Sequence, residues 1–404
     1  MCGGELVNGR IVLWPNNPQV ILLILISLLG VFPLDVILPS VPALVHDFAV
    51  DTKYAAYSVS LFAIGVALSQ AVIGPLSDHM GRKRLLIAGL SVSIAGAVGC
   101  TLASSYESFM AFRLLQAVGC GCFVLGQALV QDMYSGKQRN TMRILMTSAS
   151  GVFISLSPLA GSVLQLYFGW KGSFQVFVVL AVIVVLLSFK LLHGKTRSHS
   201  DSGVLSSYWE LLKDRRFLIS SLFSCLAFTC HFSFVVVSPL LLMGVLDLPA
   251  FAFAMAFLGY GLAYMMGGVI ANVLNHRIDM HAQIGWGFTL IGIAGIALCL
   301  AVSSDQLSVP SLLLPLMICT MGTTIIRPAA TTYALGLHPE RAGAAASAHN
   351  TMLFAFGGAA SMLLASVEEM LPMSLALSFV VSCLSGWLLL AYLSGLVSEA
   401  QVDK

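Results

Sequence analysis

The sequence predicts an all-α polytopic membrane protein with twelve transmembrane helices, and three observations carry this expectation. The first is composition. Of 404 residues, 58% are hydrophobic and only 9% charged, with a mean hydropathy of +0.92. A soluble domain carries roughly 25% charged residues, and no soluble fold hides this much apolar surface. The second is that the chain divides into twelve apolar runs, each close to the ~20 residues that cross a bilayer. The third is that Lys and Arg lie almost entirely on alternate connections. The formal net charge of +2 points to no acidic or basic partner, and no nucleic-acid partner is expected.

Taken in chain order, Met1 to Asn17 lacks the basic start, short apolar core and cleavage site of a signal peptide. The first apolar run is therefore expected to be a permanent span. Spans are expected near 18–43, 54–77, 84–104, 107–133, 141–168 and 172–193. Six more follow near 217–244, 250–275, 282–303, 309–335, 342–367 and 371–397. If the N-terminus is cytoplasmic, Arg82, Lys83, Arg84, Lys137, Arg139, Arg143, Arg215, Arg216 and Arg277 all fall on inner segments. The outer loops hold only Lys53 and Lys171. The positive-inside rule then places both termini in the cytoplasm. Cysteines such as Cys100, Cys120, Cys122 and Cys319 lie inside apolar runs, where Cys behaves as a small hydrophobe. Neither disulfides nor a metal site are expected.

The longest polar interruption divides the spans six and six. The expected organisation is an N-terminal six-helix bundle over 1–193, a cytoplasmic linker over 194–216 and a C-terminal six-helix bundle over 217–404. The start of the linker reads as flexible. Its end, Ser206 to Arg216, reads as a short interfacial helix with Trp209 and Leu212 toward lipid. Two six-span halves suggest a duplicated transporter. "VPAL" at Val41 and "SPLL" at Ser238 occupy similar places in spans one and seven, which sets His231 within one residue of the Asp35 equivalent.

At Gly74 the chain reads "GPLSDHMGRKR". Gly74 lets two helices approach closely. Asp78 can pair with a basic side chain or accept hydrogen bonds from a helix N-terminus across the halves. Gly81, Arg82 and Lys83 complete the loop, and such a latch could gate the cytoplasmic side, closing it and breaking as the halves rock. The alternative is a generic basic inner loop. The motif resembles the signature loop between helices two and three of the major facilitator superfamily. Three further segments resemble that superfamily's drug:proton antiporter branch. "RLLQAVG" at Arg113 looks like its buried Arg motif. "SPLAGS" at Ser157, preceded by Gly151, looks like a reduced antiporter motif that keeps Pro158 and Gly161. "LDVILPSVP" around Asp35 looks like the Asp-and-Pro motif of the Bcr/CflA group, which includes exporters of chloramphenicol-type drugs and bicyclomycin. The resemblance covers nearly the whole chain. It implies two six-helix bundles around a central cavity and export by proton antiport across the bacterial inner membrane. A monomer is expected, with a small molecule, protons and the lipid bilayer as its partners. The second half carries a worn copy of the loop at Gly268 and "NHRIDMH".

Ionisable groups inside spans are rare and usually face a cavity, water or one another. Here they are Asp35, Arg113, His231, Arg327 and His349, with Gln70, Gln116, Gln127 and Asn350 adding neutral polarity. Asp35 lies roughly 12 Å and Arg113 roughly 9 Å from the outer side, at 1.5 Å per residue. In the family fold both helices line the cavity, so the two could interact directly or through water. Burial favours a neutral carboxyl and a nearby guanidinium an ionised one, so a small rearrangement could switch the acid. Asp35 is therefore the expected proton-coupling carboxylate, with Arg113 beside it. The alternatives are a structural Asp that fixes packing with Arg113, and direct recognition of a cationic cargo. Some relatives carry a second acid further back on helix one, and Ser27 stands in that region here.

The expected cargo cavity comprises Asp35, Arg113, Gln116, His231, Arg327 and Asn350. Arg327 either meets His349, Asn350 or an anionic cargo, or snorkels to the cytoplasmic surface beside Pro328. His231 either hydrogen-bonds a neighbour or contacts cargo and relays protons. Asp132 caps a loop or pairs with Arg139 or Arg143. Phe232, Phe234, Met255 and Phe257 mostly pack or face lipid. No G-x-x-x-x-G-K-[ST] loop is present to bind ATP, and no hydrolase motif is present. An enzyme is not expected, nor any cofactor beyond the proton gradient. A channel fits the duplicated halves poorly, and a non-transporting sensor would tend to lose Asp35 or the gate loop. Two cargo classes remain: broad amphipathic drugs, and an endogenous anionic metabolite such as a carboxylate siderophore.

Overall fold

The computed structural model describes residues 6–7, 10–11, 17–134, 136–192, 204–275, 277–304, 307–338, 342–367 and 370–402. Two-residue strands β1 (Leu6–Val7) and β2 (Arg10–Ile11) pair antiparallel ahead of the first span. The other described elements are helical. The first six spans comprise α1 (Pro18–Asp35) with α2 (Val41–Phe48), α3 (Thr52–Met80), α4 (Arg82–Leu102), α5 (Tyr106–Cys120) with α6 (Leu125–Met133), α7 (Gly136–Phe168) and α8 (Lys171–Leu191). The short α9 (Val204–Lys213) follows, and the first half of the expected linker lies outside the described residues. Then come α10 (Arg215–Ser238), α11 (Ala250–Asn275), α12 (Met280–Ser303), α13 (Val309–Gly336), α14 (Ala342–Ala365) and α15 (Leu371–Val402).

Helix ends follow local chemistry. Asn17, Asp214 and Asp279 accept backbone N–H groups at the starts of α1, α10 and α12. Ser105 and Ser308 form reciprocal caps with Ser108 and Ser311. Each cap satisfies donors that a helix start would otherwise leave open. Gly81, from the signature loop, joins α3 to α4 with φ of 86°. A side chain there would be strained, which accounts for the glycine.

Several boundaries differ from expectation. The first span breaks after Asp35, passes through a 3-10 turn at Leu38–Ser40 and resumes as α2. Pro33, Pro39 and Pro42 supply no backbone donors, so an unbroken helix loses its hydrogen bonds there. The fourth span breaks at a 3-10 turn, Gly121–Val124, and α10 runs into a π-helical stretch at Pro239–Val245. Among the described residues, 11 helices are long and apolar enough to cross a membrane. The remaining expected span, α14, has 24 residues, enough to cross. It carries His349 and Asn350 and packs against α3 and α10.

Packing is extensive both within each set of six and between the sets. α4 lies against α5 and α8, and α1 against α7 and α8; α12 lies against α13 and α15, and α10 against α13 and α14. Two long seams join the sets, α3 with α14 and α7 with α11. The α3–α14 seam is pinned along its length by hydroxyls. Tyr57 meets Ser366 at 2.7 Å, Ser60 meets Ser361 at 2.8 Å, and Ser347 donates to the Gln70 carbonyl at 3.0 Å. On the side away from the linker helix, α2 and the π-helical stretch also touch.

Candidate functional site: a buried acid, a buried arginine and two seams

Asp35 is the last residue of α1 and is only 7% exposed. Ser157 of α7 lies within hydrogen-bonding reach of its carboxylate. Its Oδ2 has no hydrogen-bond partner among the described residues. A buried ionised carboxylate in that position carries a desolvation cost that one hydroxyl does not offset. One turn beyond Ser157, α7 touches the end of the first span more tightly. A Cβ on Gly161 would collide with the Val36 carbonyl oxygen and press on Pro39. Gly161 thus lets α7 close on the break just after Asp35. Gly151 has open space around it and serves no such contact. Ser162, one residue past Gly161, donates to the Pro158 carbonyl at 2.9 Å and to the Ala250 carbonyl of α11 at 3.1 Å. Ser155 packs into the surface of Gly261 on α11. One face of α7 therefore holds the acid while another forms the seam with the second set of helices.

Arg113 is 1% exposed and sits beside the α1 break, as its depth predicted. Its partner is not Asp35. Nη2 donates to the Pro33 carbonyl at 2.5 Å and Nη1 to Gln116 Oε1 at 2.7 Å. The guanidinium lies 4.0 Å from the Phe62 ring centre and 5.5 Å from that of Phe174. Among the described residues, Asp35 and Arg113 form no ion pair, so of the direct and water-mediated contacts the sequence allowed, the direct one is not made. The reason is geometric. The helix stops after Asp35, so the Pro33 carbonyl has no i+4 donor in α1, and a cation is its replacement. The carboxylate, two residues on, points to α7 instead. Arg113 Nε has no hydrogen-bond partner among the described residues. It borders a small void, with room for about one water molecule, shared with Phe32, Gln116, Ser173 and Phe177. Drug-sized ligands occupy roughly 300–1,000 Å³, so this void inside the first six helices is not a cargo chamber. Ser27, in place of a second acid, meets Ser150 of α7 at 2.6 Å.

In the second set, His231 is buried and stacks on Tyr260, with Nδ1 2.6 Å from its hydroxyl and 3.3 Å from Thr320 Oγ1. Of the two readings offered by the sequence, the hydrogen-bonded one describes this contact. His349 lies between Thr331 at 3.0 Å and Ser221 at 3.2 Å, so it does not meet Arg327 by hydrogen bonding. Arg327 is half-buried and lies over the Phe228 ring at 5.0 Å. It makes no ion pair among the described residues. Phe228 in turn contacts Phe232 and Phe354. Asn350 is half-buried on α14. Phe232, Phe234 and Phe257 are buried packing, while Met255 is exposed.

Arg82 pairs with Asp132 at 2.5 Å, so Asp132 takes a loop arginine; the side chains of Arg139 and Arg143 lie outside the described residues. Lys83 caps the end of α8 through the Leu192 and Phe189 carbonyls at 2.6 and 2.9 Å. Both contacts stay within the first six spans. The Asp78 side chain lies outside the described residues. The cross-seam contact comes from Gly74, where a Cβ would sit 2.8 Å from Ser347 Oγ. In the worn copy, a Cβ on Gly268 would meet no described neighbour within 4 Å.

Sequence reasoning missed Tyr208. From α9 its hydroxyl reaches Ser347 of α14 at 2.8 Å and the Ala71 carbonyl of α3 at 3.1 Å. Burial pushes this phenol above its ordinary pKa, so it stays a neutral donor. The signal was available: Tyr208 and Leu211 share the face that complements Trp209 and Leu212.

Comparisons with known proteins agree with this architecture. The family model described as Major Facilitator Superfamily matches residues 22–362. Multidrug resistance protein MdtL of Escherichia coli O139:H28 is 27% identical over 215 residues, 53% of this chain and 55% of its own. The same protein of Shigella boydii serotype 18 matches to the same extent. The chain thus spans about half the length of the curated relatives it matches. The crystal structure of a D-xylose-proton symporter superposes with a TM-score of 0.72 at 14% identity, covering 92% of this chain and 97% of that one. At that identity the likeness shows the fold alone.

Proposed function

This chain belongs to the Major Facilitator Superfamily, and we propose that it is a proton-coupled exporter of small organic molecules. It would sit in a bacterial inner membrane with both termini cytoplasmic and exchange cargo for protons by alternating access. We take residues 1–193 and 217–404 as the two rocking bundles and 194–216 as their linker. The observation that carries the reading is Asp35. A buried acid with one oxygen unpartnered sits at a helix break and packs against α7, the helix that also forms a seam with the other bundle.

Proton loss from such a site requires solvent or a new partner, because an unpaired buried carboxylate is costly. Opening the α7–α11 seam would supply one. Closing the α1–α7 contact at Gly161 would remove it. Arg113 is a positioning residue in this scheme: it holds the broken end of α1 through Pro33 and thereby sets where Asp35 points. The name of the MdtL relatives, multidrug resistance protein, supports drug-like cargo. The test is transport in everted vesicles energised by a proton gradient. Cargo accumulation that collapses on adding an uncoupler is expected. Accumulation unaffected by an uncoupler would overturn proton coupling.

One observation favours anionic cargo as a second reading. Arg327 is half-buried without an acidic partner among the described residues, above an aromatic cluster of Phe228, Phe232 and Phe354, whereas Asp35 faces α7. An aromatic carboxylate fits such a surface through stacking and a charge-assisted hydrogen bond. That bond is worth about 1.5–3 kcal/mol, or roughly tenfold to a hundredfold in affinity. Arg327→Ala is therefore expected to weaken salicylate binding by at least about tenfold while leaving binding of the neutral salicylamide within about twofold. Titration of purified protein measures both. Equal loss for the two ligands would favour a purely structural Arg327.

A further inference from the structure

On the linker side, three parts of the chain meet at one point. Ser347 of α14 donates to the Gln70 carbonyl of α3 and fills the notch at Gly74. Tyr208 of α9 then reaches over both, bonded to Ser347 and to the Ala71 carbonyl. Leu211, fully buried, anchors the same face of α9 beside Phe217, Ala334 and Ala345. Moving α3 from α14 on this side would break the Tyr208 bond to Ala71, because Tyr208 rides with the second set of helices.

The neighbouring face of α9 has another character. Trp209 is 62% exposed and Leu212 44%, and Lys213 extends over the indole at 5.1 Å. Arg215 is exposed just beyond, and Arg216 follows it. A short helix with an exposed Trp and Leu flanked by three cations is built to lie in the headgroup layer, with the indole at the acyl boundary and the cations among phosphates. Their charge is complementary to acidic phospholipid, which enriches such segments at the cytoplasmic surface.

We infer that α9 is a membrane-docked clamp: acidic phospholipid holds its Trp209–Leu212–Lys213 face while Tyr208 pins the α3–α14 seam shut on the cytoplasmic side. The clamp ties opening toward the cytoplasm to lipid charge. It holds whether or not Asp35 couples protons, since no residue is shared between the two.

Hydrogen exchange on the full chain tests it in nanodiscs of phosphatidylcholine alone or with one third phosphatidylglycerol. With phosphatidylglycerol, the wild type is expected to protect the linker-side ends of α3 and α14, around residues 70–77 and 344–351. In phosphatidylcholine alone these ends exchange severalfold faster. Tyr208→Phe and Ser347→Ala are each expected to show the faster rate in both lipids. Lys213→Gln combined with Arg215→Gln keeps the Tyr208 contact but erases the response to lipid. The far ends, near residues 57–61 and 361–366, are expected to stay unchanged throughout. Equal protection of the wild type in both lipids overturns the lipid-docked clamp. So does Tyr208→Phe behaving as wild type, or loosening both ends of the seam equally.

Discussion

Asp35→Asn is expected to abolish uphill export while the protein remains inserted and folded. Asparagine keeps the size of the side chain and can still bond Ser157, so the contact between the α1 break and α7 survives. What it loses is the titratable proton. Each proton exchanged across a one-unit pH gradient supplies about 1.4 kcal/mol, enough for a roughly tenfold cargo gradient. The variant should relax to no gradient, yet still exchange labelled for unlabelled cargo across vesicles at equal concentrations. Counterflow and gradient-driven uptake, measured side by side, separate a lost proton from a lost binding site. Full proton-driven accumulation by Asp35→Asn would contradict the assignment.

Arg113→Ala is expected to be the most damaging single change to the fold near the site. The guanidinium makes two charge-assisted bonds, to the Pro33 carbonyl and Gln116, and covers the rings of Phe62 and Phe174. At about 1.5–3 kcal/mol per charge-assisted bond, with a void left behind, the loss is on the order of 3–5 kcal/mol. Pro33 cannot recover a helical donor because α1 ends at Asp35. Arg113→Lys retains a charge but not the planar fork that reaches both acceptors, so it should fold and still transport poorly. Thermal unfolding in detergent and proton-driven transport together check this. A stable, fully active Arg113→Ala would show that the cation neither holds the break nor positions Asp35.

These expectations show what the sequence could and could not say. The spans were legible because bilayer crossing is a demand on length and polarity, both visible in one chain. The level of Arg113 beside α1 was legible for the same reason, since depth follows from residue count. Its partner was not, because rotation about a helix axis is set by packing; the carboxylate turned to Ser157 while the backbone two residues earlier took the cation. The breaks at Gly121 and after Ser238 left little mark, since Gly-Cys-Phe-Val and Pro-Leu-Leu-Leu also occur in unbroken helices. The signature loop marked Gly74 as a point of close approach, but not Ser347 as what it meets, nor that Arg82 and Lys83 would serve their own half. Tyr208 went unread because the face it shares with Leu211 was legible but the partners of that face were not; they follow from how α9 lies against α3 and α14.

The central claim is that Asp35 gives up a proton as cargo is taken up. Proton release on cargo binding, followed with a pH-sensitive dye in weakly buffered detergent solution, measures this without a membrane. Wild-type protein is expected to release protons on adding a transported compound, and Asp35→Asn to bind the same compound with no release. Equal release by both proteins would contradict the account.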